Sequence, residues 1–292
     1  MSIAVVIFSK NRPAQLDLLL RSWSEQVAEW PDFAVSVLCK STAPEFDRGY
    51  QIVKRTFPTV FFQAEDDSRS FMGHVRSLME REERELFHFL ADELVFLRGF
   101  TTRDEPFQIL RRRRDVAAVA LRMSPRINYS QPLDWKTPPP PHRGNMWTWQ
   151  PRSVWIDRVT RLFGVHSAMG DWRMQINVDG NTFRYRQIVD HFKTLPEIRG
   201  LNALETEFIR HPLPNAPYLV CYPESRLINL ALNRVDQHSH YPYAGHTAEQ
   251  FNERFLAGER LSYTTLVGLQ HNACHIIVEP EWFRPVPTAA RG

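Results

Sequence analysis

Phe87-His88-Phe89-Leu90-Ala91-Asp92-Glu93-Leu94-Val95-Phe96 is the stretch on which the fold turns. Its first five residues are apolar or flat, as in a strand buried on both faces. Polarity then changes abruptly to two adjacent carboxylates before an apolar run resumes. In an open α/β sheet, ligands bind outside the carboxyl ends of the strands. Asp92 and Glu93 are therefore expected to face a crevice, with an ordinary acidic turn as the plainer alternative.

Upstream, apolar runs alternate with amphipathic ones. Ile3 to Phe8 is a continuous β-rich run bounded by Ser9-Lys10-Asn11-Arg12-Pro13, a buried first strand followed by a helix that opens at Pro13. Leu16, Leu19, Leu20 and Trp23 recur at helical spacing within that helix. A second strand is expected over Phe33 to Cys39, a surface helix over Glu45 to Arg55, a third strand over Pro58 to Gln63 and a helix over Phe71 to Arg84. This alternation predicts a parallel, doubly wound sheet.

Downstream, a helix over Thr101 to Arg112 leads to another buried strand, Val116 to Leu121. Ser124 to Arg143 loses periodicity and carries Pro138-Pro139-Pro140-Pro141, so an exposed polyproline-type loop is expected. Trp147, Trp149, Trp155 and Trp172 crowd the next window, before a turn and an alternating strand within Val178 to Arg186. Helices are expected over Arg186 to Lys193, Leu204 to Ile209 and Ala248 to Leu256.

The composition, 43% hydrophobic and 24% charged over 292 residues, is that of an ordinary globular chain and sets disorder aside. Cys39, Cys221 and Cys274 lack the paired spacing of a zinc cluster or a disulfide framework. A reduced, cytoplasmic setting is the expectation, with peripheral membrane association left open. The N-terminal apolar run has no basic flank and is too short for a signal peptide or a membrane span. A net charge of +3 suits an anionic ligand without requiring one. Arg111 to Arg114 reads as a solvated helix end, because four consecutive arginines cannot face one groove, so nucleic acid is a disfavoured partner.

Four motifs in order resemble the GT-A glycosyltransferases of the family 2 type. Phe8-Ser9-Lys10-Asn11-Arg12-Pro13 is similar to the turn that ends the family's first strand, and Asp92-Glu93-Leu94 stands where the family has its Asp-x-Asp signature. Asp179-Gly180-Asn181-Thr182-Phe183-Arg184-Tyr185-Arg186 resembles the family's Gly-Gly-Asn strand, and Leu204-Glu205 stands at the interval of its Glu-Asp helix. The resemblance implies an α/β, Rossmann-like GT-A fold with a central, mostly parallel sheet and an irregular, aromatic-rich C-terminal half. It divides the chain into a nucleotide-sugar-binding half (1–121), an acceptor-side half of the same domain (122–215) and a C-terminal extension of open role (216–292).

The activity so implied is transfer of a sugar from a nucleotide-sugar donor to a hydroxyl on a glycan, a lipid-linked saccharide or a similar acceptor. A departing diphosphate gathers negative charge, which a hard divalent cation, Mn or Mg, commonly stabilises. Asp92 and Glu93, with His275 as a late ligand, are the candidate metal residues, but Leu94 replaces the family's last acid and cannot coordinate; either the two acids suffice with phosphate oxygens and water, or a distant side chain completes the shell, or the metal is absent and cations such as Arg76 take its place. Ser9, Asn11, Arg12, Lys40, Asp67, Arg76 and Asp92 are the candidate donor-binding residues; for Ser9 and Asn11 the plainer role is to cap the helix at Pro13. An attacking hydroxyl must lose a proton to a nearby carboxylate. Glu205 is the first candidate base and Asp179 the second, against ordinary helix-terminus and turn roles. Trp147, Trp149 and Trp172 are either a sugar-stacking platform or core, with core expected for at least two.

Other readings are kept open. A nucleotidyltransferase would be expected to carry a Gly-rich phosphate loop after the first strand, and Ser9 to Pro13 holds no glycine. Leu94 suits a non-catalytic nucleotide- or sugar-binding protein on a degenerate GT-A scaffold. The basic surface of Arg111 to Arg114 with Arg143 suits a polyanionic acceptor such as DNA.

Overall fold

A computed structural model describes residues 3–131, 134–137, 139–140, 147–149, 171–233 and 243–284. The expected alternation is present. Strand β1 (Ile3–Lys10) is followed by α1 (Pro13–Gln26), β2 (Ala34–Lys40), α2 (Pro44–Thr56), β3 (Phe61–Ala64), α3 (Phe71–Met79) and β4 (Leu86–Ala91). A tight turn at Asp92-Glu93 then leads into β5 (Leu94–Phe96), and α4 (Glu105–Arg112) into β6 (Val116–Ala120).

The remaining strands are β7 (Tyr129–Ser130), β8 (Trp135–Lys136), β9 (Trp147–Trp149), β10 (Asn181–Arg184), β11 (Tyr218–Cys221), β12 (Leu227–Leu230), β13 (Arg260–Leu261), β14 (His275–Ile276) and β15 (Trp282–Phe283). The later helices are α5 (Tyr185–Thr194), α6 (Leu201–Arg210) and α7 (Ala248–Leu256). No helix among the described residues is long and apolar enough to cross a membrane.

Eight strands form the main sheet in the order β3-β2-β1-β4-β10-β6-β11-β9. β10 runs against both β4 and β6, and β9 runs against β11; the other neighbours are parallel. This is the mostly parallel α/β sheet expected of a GT-A fold. The reversal of β10 has a consequence for position. Its first residues lie beside the carboxyl ends of β4 and β6, so the Asp179-Gly180 turn is brought to the edge that holds Asp92.

The side chains of β4 show why it forms the centre. Successive residues point to opposite faces, so Leu86 and Leu90 join one core layer with α1, α2 and α4, while Phe87 and Phe89 join the other with α3, α5 and α6. Phe89 has no exposed surface and packs on Phe208 of α6, with ring centroids 5.9 Å apart. Truncating so buried an aromatic costs about 3–5 kcal/mol. His88 is tolerated on this strand because its Nδ1 bonds Thr182 Oγ1 at 2.7 Å. Burial pushes its pKa down to about 3, so it stays neutral in the core.

Three expectations are corrected. The helix from Phe71 stops at Met79 rather than Arg84, since residues 80–85 are all Glu or Arg and offer nothing to bury. The helix expected at Leu204 opens earlier, at Leu201, after Gly200 adopts a φ of 93°. The start of the supposed exposed loop is packed: Ser124 and Ile127 are buried, β7 pairs with β8, and Tyr129 N donates to the Asn272 carbonyl. Trp172 is core, 3% exposed, and its Nε1 donates to the Ile127 carbonyl. The backbones of Trp147 and Trp149 form β9, while Trp155, Pro138, Pro141 and Arg143 lie outside the described residues.

The C-terminal part is integral to this architecture. β11 lies within the main sheet between β6 and β9, and β12 pairs with β5 on one side and β14 on the other. That register sets Asn229 opposite Leu94 and opposite His275, at the end of β4.

Candidate functional site

At the carboxyl ends of β1 and β4, Arg12 lies between two acids. Its Nη1 donates to Asp92 Oδ1 at 3.1 Å and to Glu93 Oε2 at 2.8 Å. Its Nε donates to Asn233 Oδ1 and its Nη2 to the Asn233 carbonyl, both at 2.8 Å. The other oxygens of the pair are also engaged: Lys10 N donates to Asp92 Oδ2 at 3.3 Å and Asn229 Nδ2 to Glu93 Oε1 at 2.6 Å. Leu94 points into the core with no exposed surface.

Burial disfavours ionisation of both acids, but their surroundings differ. Asp92 is pushed up to about 6 by burial, with Arg12 opposing and the Glu93 charge adding to the rise. For Glu93 the burial effect is outweighed by Arg12 and the Asn229 amide, which together hold it below the usual carboxylate range. Two adjacent acids are thereby set apart in acidity, which is how a site assigns them different work.

The loops around this pair are fixed by hydrogen bonds. Ser9 Oγ and Tyr50 Oη lie 2.7 Å apart, and the same phenol accepts from Arg12 N at 3.2 Å. Asn11, at a φ of 55°, donates through Nδ2 to Thr42 Oγ1 and accepts from Thr42 N. Neither Ser9 nor Asn11 caps α1, whose first residue has no side-chain cap, so the capping alternative does not hold.

A second cluster faces the first from β6 and β10. Arg122, 2% exposed, donates from Nη1 to Asp179 Oδ2 and from Nη2 to Asp171 Oδ1, each at 2.7 Å. His275 Nε2 lies 3.3 Å from Arg122 Nη1 and, since a guanidinium only donates, must accept. Burial works against the charge on Arg122, but Asp171 and Asp179 outweigh it and hold the guanidinium ionised. Gly180 is required here: its φ is 95°, and a Cβ would come within 2.9 Å of Leu227.

Glu205 completes this cluster from α6. Leu204 and Phe208 are buried anchors of that helix, and Glu205, beside Leu204 in the second turn, is half-buried within electrostatic reach of Asp179 and Glu93. It has no hydrogen-bond donor among the described residues. Burial, and then the Asp179 charge, push its pKa up to about 8, and the charge of Glu93 adds to the rise. Glu93 also acts on Asp179, whose carboxyl burial raises, so the two clusters share one field.

The other candidates are more scattered. Lys40, at the end of β2, pairs with Glu65 at 2.6 Å, and Asp67 is exposed in the turn after β3. Arg76 is half-buried on α3, which packs across β1 and β2, and its Nε has no partner among the described residues. Arg111 and Arg113 are spent on Glu85 and Asp115. Arg122, Asp171, Asn229, Asn233 and Tyr50 belong to the site without being among the residues that the sequence singles out. Arg122 follows a buried strand directly, the signal that exposed Asp92, and Asn229 interrupts an apolar run; Asp171 and Asn233 carry no local signal.

Asp92, Glu93 and His275 do not fit a divalent cation as they stand. Each carboxylate oxygen already accepts from an N–H, the guanidinium lies against both acids, and His275 Nε2 is turned to Arg122. Among the described residues, no group of three or more His, Cys, Asp and Glu side chains is arranged to hold a metal ion.

No family model matches the chain, and no curated protein matches it. Among solved structures it is similar to S. aureus TarS, at 15% identity and a TM-score of 0.49, over 76% of this chain and 35% of that one. The TarS 1-349 structure in complex with UDP-GlcNAc gives 14% identity, a TM-score of 0.47, and 78% and 57% coverage. The mannosyltransferase PcManGT from Pyrobaculum calidifontis, in complex with GDP-Man and Mn2+, gives 10% identity, a TM-score of 0.40, and 76% and 56% coverage. The chain thus spans less than two thirds of the length of each. Similarity at this level transfers neither substrate nor acceptor.

Proposed function

We propose that this chain is a glycosyltransferase that binds a nucleotide-sugar donor over the carboxyl ends of β1, β2 and β4 and transfers the sugar to a hydroxyl acceptor. One observation carries the reading. Two groups of acids, Asp92 with Glu93 and Asp179 with Glu205, come from different halves of the chain and lie close enough for the Glu93 charge to raise both Asp179 and Glu205. Convergent titratable groups at a strand-end crevice are what such chemistry needs.

On this reading Ser9, Asn11, Lys40 and Asp67 line the nucleotide side and Arg76 contacts a phosphate. Arg12 and Asp92 border the departing diphosphate. Glu205 is the base: a carboxyl with a pKa near 8 is well matched to accept a proton from an attacking hydroxyl near neutral pH. Asp179, tied to Arg122, orients the acceptor.

The alternative, a non-catalytic binder on the same scaffold, is favoured by the complete pairing of Asp92 and Glu93. Thermal shift against a panel of nucleoside diphosphates tests binding, since a ligand that binds only the folded state raises the midpoint. Donor turnover in Asp92→Asn and Glu205→Gln then separates enzyme from binder. Binding retained with turnover lost supports the transferase; binding with no turnover in the natural chain leaves only the binder.

A further inference from the structure

We propose that Arg12 is the resident cation of this site and that it closes the Asp92–Glu93 pair to divalent metal ions. The consequence for the ligand rests on the reading above: a nucleoside diphosphate group is bound here without Mn or Mg.

The hydrogen-bond count supports this. A guanidinium has five N–H groups. Four are committed on Arg12: two to the acids and two to Asn233, through its side chain and its backbone carbonyl. Asn233 grips the guanidinium from the side away from the acids, so moving it off the pair breaks bonds on both sides. The acids have no spare member either. Asp92 Oδ2 and Glu93 Oε1 accept from Lys10 N and Asn229, and the position after them is a leucine buried in β5. A hard dication entering this pair would stand against a fixed positive charge, with His275 Nε2 already accepting from Arg122.

The arrangement also separates two roles that a metal combines. Arg12 neutralises one of the two acid charges and holds both side chains in place, leaving one excess negative charge. Phosphate charge must therefore be met by cations not spent on the acids. Arg76 is such a cation, with Nε unpartnered among the described residues.

The test needs no nucleotide. Mn2+ is titrated into the full chain, followed by the EPR signal of the free ion and by the thermal midpoint. The natural chain is expected to leave the ion free, with its midpoint unchanged. Arg12→Met exposes the two acids to each other and is expected to gain a Mn2+ site, its midpoint rising by about 5 °C or more at saturation. The double variant Arg12→Met with Asp92→Asn should lose that gain. Saturable Mn2+ binding by the natural chain that disappears in Asp92→Asn overturns the proposal, as does an Arg12→Met protein that folds and takes up no Mn2+.

Should Arg12→Met fail to fold, Arg12→Lys keeps the charge without the fork and must remain indifferent to Mn2+; a midpoint that rises with the ion overturns the proposal. Calorimetry with a nucleoside diphosphate, in EDTA and in Mn2+, supplies the ligand arm. Affinities equal within about threefold support metal-free binding, and a gain of tenfold or more in Mn2+ refutes it. Absence of any nucleotide binding removes the donor reading, while the nucleotide-free titration still decides the role of Arg12.

Discussion

Arg12 and Arg122 each lie between two carboxylates, one just past the end of β1 and the other just past the end of β6. Around Arg12 the acids are also met by neutral donors, the Asn229 amide and the Lys10 backbone, so no acid lacks a partner. Around Arg122 a third carboxyl, Glu205, joins two that already pair with the terminal nitrogens of the guanidinium. The outcome differs accordingly: Glu93 is held below the usual carboxylate range, whereas Glu205 is pushed up to about 8. Burial acts on both, and the supply of donors decides which acid stays ionised and which can carry a proton near neutral pH.

The largest expected effect breaks the second cluster. Arg122→Met leaves Asp171 and Asp179 buried without their cation, which is expected to cost about 3–5 kcal/mol in urea unfolding at pH 7. Most of that loss should be recovered as the pH falls and the acids become protonated. A loss under about 1 kcal/mol would mean that the acids reach solvent and that Arg122 does not organise them.

Glu205→Gln sharpens the comparison next. Transfer should fall by about a hundredfold or more, with the midpoint preserved near pH 6. The activity of the natural chain should climb as pH rises through about 8, when the base loses its proton. Stability runs the other way. A carboxyl whose folded pKa is raised adds stability that is fully present below its unfolded value and is lost as pH rises through the folded one. Between pH 5 and pH 9 the natural chain should therefore weaken relative to Glu205→Gln, on the order of 1–2 kcal/mol after discounting for its partial exposure. A midpoint difference that stays flat across this range would show that Glu205 is not the protonated member.

The sequence disclosed these two clusters unequally, for a physical reason. Asp92 and Glu93 are announced locally, because a strand buried on both faces can end in charge only where it meets a crevice or solvent. Arg122 obeys the same rule, yet an arginine after Val116 to Leu121 reads as a solvated end until Asp171 is known to lie opposite. Asp171 is 49 residues from Arg122, and Asn233 is 221 residues from Arg12. Pairings of that span are set by strand order and by the reversal of β10, which periodicity does not reveal. The helix carrying Glu205 opens at Leu201 rather than at Leu204: Leu201 is half-buried against the same core, but only Leu204 and Phe208 are fully buried and mark the helix face plainly. That shift puts Glu205 in the second turn, away from the helix terminus that its plainer reading required.

The smallest expected effect tests what positions Arg12 from behind. Tyr50 Oη lies 2.7 Å from Ser9 Oγ and accepts from Arg12 N at 3.2 Å, whereas Arg122 has no tyrosine hydroxyl among the partners described for it. Burial, and then the Asp92 charge, push the phenol well above its ordinary range, so it keeps its proton between pH 6 and pH 9. Tyr50→Phe should cost about 1 kcal/mol, because a buried hydroxyl and a backbone N–H lose one partner. Unlike the Glu205 effect, this cost should be the same at pH 6 and pH 9. If it instead grows with pH, the phenol is exchanging a proton with Asp92, and the Arg12 cluster is not the fully paired arrangement that distinguishes it from its counterpart at β6.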